Sequence, residues 1–235
     1  MHYLNHGEVR IPVFIVSLLI SSLGIVLITR AMLGTSPISS IPFVLSLYLP
    51  YTFGQLTLVF NLLCIIGQVL LLRRQFPAIQ YLQIAVGLIF SISIDIWMQV
   101  FSFLQNEPLW VSLIMLLVGC MTLAFGICLE LAAQVLLVPG DGIVKVIAMK
   151  GRWRMGGTKV GLDTTLFSIA VLLSNWFGGL GTFTGLGLGT IVSALLVGRF
   201  VNFYNRHLFF LERLAQLSLG DHTKEDTAPA AAPLK

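Results

Sequence analysis

Asn61 and Asp163 are the polar residues of this chain best placed to handle a solute. Each lies inside a long apolar run, and Thr164 and Thr165 follow Asp163 directly. A carboxylate, an amide and hydroxyls within a membrane suit a proton, a hard cation or the polar end of a small substrate. Lys159, one helical turn before Asp163, offers a plainer role: it neutralises the acid and anchors the helix. Two breaks add further candidates. Gly34-Thr35-Ser36-Pro37-Ile38-Ser39-Ser40-Ile41-Pro42 is too polar and proline-rich to continue the run before it. Thr35 or Ser36 can cap a new helix with Pro37 in its first turn, and the N–H groups there, with Ser39, would favour an anionic group. Val138-Pro139-Gly140-Asp141-Gly142 is the second break. Asp141 is a candidate ligand there, with N-capping as its simpler use.

Asp95, Glu130 and Arg199 also fall within apolar runs, and Arg30 sits at the outer end of the first. A charge at the bilayer centre costs about 2.5–3.5 kcal/mol on insertion scales, so such residues pair or face water. Arg30 and Asp95 share one depth, and Glu130 and Arg199 another. The sequence therefore predicts the pairs Arg30–Asp95 and Glu130–Arg199, which could serve structure alone.

The elements that must position these residues follow from composition. Hydrophobic residues make up 57% of the 235, charged residues 10%, and mean hydropathy is +0.93. A soluble chain could not hide that much apolar surface. Roughly 20 apolar residues span a bilayer as a helix. Six runs qualify: 11–29, 54–72, 79–104, 109–131, 162–177 and 183–201. The predicted fold is all-α: a polytopic integral membrane protein with six transmembrane helices and short half-helices after spans one and four. Residues 1–10 read as a cytosolic leader, 11–207 as one membrane domain, and 208–235 as a cytosolic, partly disordered tail.

The net charge of +4 reports threading rather than nucleic-acid binding. With the N-terminus in the cytosol, nearly all Lys and Arg fall on the cytosolic side, and the C-terminus is cytosolic too. The lipid bilayer is the expected partner, beside an unknown small solute.

A shift of 102 residues superposes Gly24 on Gly126, Pro37 on Pro139, Gly54 on Gly156, Asn61 on Asp163, Gly87 on Gly189 and Ser91 on Ser193. Each unit, about 11–104 and 109–207, holds three spans. An odd number inserts the second unit upside down, giving inverted three-helix repeats with the break helices entering from opposite faces.

Other signals have plain readings. Cys64, Cys120 and Cys128 lie within spans and read as packing residues. The glycines at 185–189 open an apolar helix with no strand before them, which suits close packing rather than a nucleotide loop, and a homodimer through this span is a candidate assembly. No Ser/His/Asp set and no metal-ligand spacing is present, so the sequence predicts no enzyme, no catalytic residue, no cofactor and no metal.

The run Leu33–Pro42, with Phe53-Gly54-Gln55 after it, resembles the signature of the YczE/YyaS/YitT family of bacterial multi-pass membrane proteins. The likeness also takes in Gly140-Asp141-Gly142 and Gly189-Thr190-Ile191, and covers roughly residues 10–207. It implies a bacterial inner-membrane protein and supplies no substrate or binding residues. Two functions are expected from the residues themselves. One is a transporter or channel with its site between the repeats. The other is a non-transporting protein that docks a partner through a basic cytosolic loop, 145–159.

Overall fold

The computed structural model describes residues 6–104, 107–179 and 185–207, which are helical apart from short connections. The expected tail at 208–235 and the first five residues of the leader lie outside the described residues.

The apolar runs become helices with few surprises. Helix α1 covers His6–Arg30, α3 Phe53–Leu72, α4 Gln83–Val100, α5 Leu109–Ala133 and α7 Met155–Gly178. With a short 3-10 extension on α3 and another before α4, these five are long and apolar enough to cross a membrane. The protein is therefore membrane-embedded. The sixth expected span is different. Helix α8, Leu188–His207, has 20 residues but carries Arg199, Asn202, Asn205 and Arg206, and it falls below the apolarity of a span. The start of the run expected at 183–201 lies outside the described residues.

Both breaks start short helices. A 3-10 turn at Pro37–Ser39 leads into α2, Ser40–Tyr48, and α6 covers Pro139–Gly151. Each opens with Pro at a position that has no N–H to leave unpaired. Ser36 occupies the N-cap position of the first, but no side chain caps it. Asp141 lies inside the first turn of α6, and Val138 is the N-cap residue there. The expected basic loop at 145–159 is likewise corrected. Ile143, Val144, Val146 and Ala148 bury one face of α6, so helix runs through Gly151 and resumes at Met155. Only 152–154 connect the two.

Helix α3 starts on a capping box. Thr52 Oγ1 accepts from the Gln55 N–H, and Gln55 Oε1 accepts from the Thr52 N–H, both at 3.1 Å. Gly34 lets α1 turn into the first break. Its φ of +147° is open to glycine, and a Cβ there would lie 2.5 Å from the Thr190 backbone nitrogen.

The core is the crossing of α1 and α5, where Leu18, Val26, Ile28 and Cys120 are fully enclosed. Small residues let the backbones meet. Gly24 abuts Leu123, Gly119 abuts Ile28 and Gly126 abuts Ser21. Positions rise along one helix as they fall along the other, so α1 and α5 run antiparallel. Gly187 and Gly189 pack against the Leu33 carbonyl, which accepts the Gly189 N–H at 2.9 Å.

The packing has a repeating plan. α1 packs on α4 as α5 packs on α8. α3 packs on α6 as α7 packs on α2, and α2 on α3 as α6 on α7. One contact breaks the plan: α3 packs closely on α4, whereas α7 and α8 have no comparable contact. Gly54 of α3 sits against Asp95 and Ser91 of α4, but Gly156, at the corresponding place on α7, has nothing within 4 Å of a Cβ.

Candidate functional site

The gap between α7 and α8 is the side of a cavity of about 440 Å³ that reaches the centre of the bundle. Ligand pockets commonly measure about 300–1,000 Å³. Both break helices send their first turns into it: Ser36, Pro37, Ile38 and Ser39 from one, Gly140 and Asp141 from the other. The second is fixed in place by Gln68, which is fully buried and donates Nε2 to the Pro139 carbonyl at 3.2 Å and to Gln83 Oε1 at 3.0 Å.

The charged groups of the cavity come from three helices. Glu130 is on α5, Asp141 on α6, and Lys159 and Asp163 on α7. Lys159 Nζ donates to Asp141 Oδ1 at 2.5 Å, an ion pair between α7 and α6. Glu130 is buried, and its Oε1 accepts the Val138 N–H at 2.8 Å, so it serves the start of α6. Asp163 is half-buried, with its Oδ1 enclosed and without a hydrogen-bond partner. Asn61 Nδ2 and Ser21 Oγ, on the other walls, are in the same condition. A polar atom buried without a partner costs roughly 1–3 kcal/mol, so these three atoms are where a ligand or water gains most.

Asn61, Asp163, Asp141, Ser36 and Ser39 thus line one cavity, as the candidate residues were expected to share a site. Thr35 does not line it. Its hydroxyl pairs with that of Thr29 at 2.8 Å, its N–H donates to Thr190 Oγ1 at 3.1 Å, and its carbonyl accepts from Ser193 Oγ at 3.2 Å. Those bonds tie the end of α1 to α8. Thr164 also lies elsewhere: it is exposed and donates to the Val160 carbonyl of its own helix at 2.8 Å.

The predicted charge pairs are not formed. Arg30 donates Nη2 to the Met98 carbonyl at 2.5 Å and makes no ion pair with Asp95. Asp95 instead accepts from Thr52 Oγ1 at 2.6 Å and from the Gly54 N–H at 2.7 Å. It satisfies the unpaired first turn of α3, which a carboxylate does well because it accepts and the helix end is positive. Asp95→Ala is expected to cost about 1–2 kcal/mol, the loss of a cap, with Asp95→Asn losing less. Thermal unfolding in detergent would measure both. Glu130 and Arg199 are also apart: Arg199 is exposed on α8, and Glu130 faces the cavity.

Two residues of the site were not singled out as such. Lys159 is expected in the loop and beside Asp163; it does interact electrostatically with Asp163, but its hydrogen-bonded ion-pair partner, Asp141, comes from a different helix. Ser21 gave no signal beyond being a small polar residue in a span.

No curated protein and no solved structure matches this chain. A family profile does, and it takes in every residue of the cavity and all of the helices but the outer ends of α1 and α8. The match runs over residues 9–206 to a family of unknown function, DUF6198, and the chain belongs to that family.

Proposed function

We propose that this protein is a small membrane transporter for a polar or ionic solute. It is built from two inverted repeats, α1–α4 and α5–α8, with the solute site in the cavity between them. On this reading α8 is the sixth span, the N- and C-termini are cytosolic, and the membrane is the bacterial inner membrane, as the YczE/YyaS/YitT likeness implies. Reciprocal contacts support the repeat. Gly24 meets Leu123 and Gly126 meets Ser21, and a shift of 102 converts the first pair into the second.

The observation that carries transport is the unmatched contact. Inverted repeats reverse access when the two units exchange conformations. Here one unit has its third span closed on its second, α4 on α3, while the other stands open at α7 and α8. The exchanged state closes α7 onto α8 with Gly156 against Ser193, the counterpart of Gly54 against Ser91. Both Gly156 and Ser193 line the cavity, so this closure would occlude it.

Paired cysteines test this. With Cys64, Cys120 and Cys128 replaced, Gly156→Cys and Ser193→Cys in one chain should form a disulfide under mild oxidation in membrane vesicles. The Gly156→Cys thiol, on an exposed position, should also react with a soluble thiol reagent, whereas Ser193 is buried here. A reactive Gly156→Cys thiol that never bridges to Ser193→Cys would mean a static gap and would sink the proposal.

A further inference from the structure

We infer that the solute of this cavity is a small organic cation that also carries a hydrogen-bond acceptor. The inference rests on the transporter reading for the site's purpose, but on the walls of the cavity for the ligand's chemistry. Three carboxyl groups, Glu130, Asp141 and Asp163, face the space, and one ammonium, Lys159, answers them. That ammonium is committed to Asp141 at 2.5 Å. Glu130 is engaged with the Val138 N–H. Asp163 Oδ1 remains, an acceptor with no donor, and a cationic N–H group is its strongest complement.

A bare metal ion fits less well. Among the described residues no three acidic, His or Cys side chains converge as a ligand set, whereas a metal ion needs several oxygens at about 2.0–2.6 Å. The rest of the cavity wall is chiefly apolar, and Phe60 and Phe90 line it. Such a wall favours an organic body, and aromatic faces attract a cation.

The acceptor follows from a second, independent atom. Asn61 is 3% exposed, lines the cavity and has its Nδ2 without a partner. An amide N–H in that state calls for an oxygen or nitrogen lone pair on the ligand. Asp163 and Asn61 therefore divide the work: the acid selects the charge and the amide selects the neighbouring acceptor.

Four compounds of similar size separate these demands. Phenylalaninamide is a cation with a carbonyl acceptor, phenethylamine a cation without one, phenylpropanamide a neutral amide and phenylpropanoate an anion. Binding to purified, detergent-solubilised protein would be read by thermal shift and by calorimetry at millimolar concentration. Phenylalaninamide should bind most tightly, with phenethylamine about tenfold weaker. The neutral amide and the anion should not bind measurably. Asn61→Leu should erase the difference between the two amines. Asp163→Asn should abolish binding of both, and Asp163→Glu should restore part of it. Wild-type protein that prefers phenylpropanoate, that binds none of the four, or that binds the amines equally well with Asp163→Asn would overturn the inference. The wild-type series does not depend on any variant folding. Failure here is also distinct from failure of the transporter reading. A 156–193 disulfide without cation binding removes the ligand class alone, and cation binding without the disulfide removes transport alone.

Discussion

Gly126→Ala is expected to destabilise the protein by about 1–3 kcal/mol, the range for overpacking a close contact. Gly24→Ala should do the same. Two effects of opposite sign meet at each position. Alanine in a helix interior gains about 1 kcal/mol over glycine from propensity alone. Against this, a Cβ on Gly126 would lie 2.7 Å from the Ser21 nitrogen, and one on Gly24 would lie 2.7 Å from the Leu123 Cα. Those neighbours are backbone atoms of rigid helices and cannot turn aside. The clash therefore wins, and the helices must separate at the crossing that holds the core. The two sites share that crossing, so the double variant should depart from the sum of the singles. Gly157→Ala and Gly161→Ala are the controls. Nothing lies within 4 Å of either added Cβ, so only the propensity gain applies, and stability should hold or rise. Thermal unfolding in detergent would read all five variants, and equal behaviour of the two groups would discard the crossing as the stabilising contact.

Lys159→Met should be the most damaging change within the cavity. It leaves Asp141 without its counter-charge, beside Glu130 and Asp163. Removing one member of a fully buried pair typically costs about 3–5 kcal/mol. The Lys159 and Asp141 side chains keep 39% and 25% exposure, which leaves roughly half of that cost, about 2 kcal/mol. The double change Lys159→Met with Asp141→Leu should then lose less than Lys159→Met alone, since no charge is stranded. Unfolding midpoints of the single and double variants decide it. A double variant worse than the single would mean that Asp141 has another partner.

The helices were legible in the sequence, and their neighbours were not. Apolar runs gave α3 and α5 nearly to the residue, because a span is specified by length and composition. Proline after a polar break gave the starts of the short helices. Partners depend on which way each helix face is turned, and depth in the membrane carries no such information. Arg30 and Asp95 share a depth, yet Asp95 turns to the Gly54 N–H and Arg30 to the Met98 carbonyl. Glu130 likewise turns to the Val138 N–H. In each case backbone groups left unpaired at or near a helix end compete with the opposite charge and win. The loop at 145–159 was misjudged for a related reason. Its lysines and arginines suggested solvent, while the buried Ile143, Val144 and Val146 beneath them fix the helix. Asn61 and Asp163 were legible because an offset of 102 joined them before any packing was known.

The crossing of α1 and α5 bears on descent. Gly24 on Leu123 and Gly126 on Ser21 are the same contact seen from either helix. A contact that is its own counterpart needs no second surface to evolve alongside it. On the inverted-repeat reading proposed above, two copies of one ancestral three-span chain, lying in opposite orientations, form it at once. Joining them end to end would then free each half to diverge.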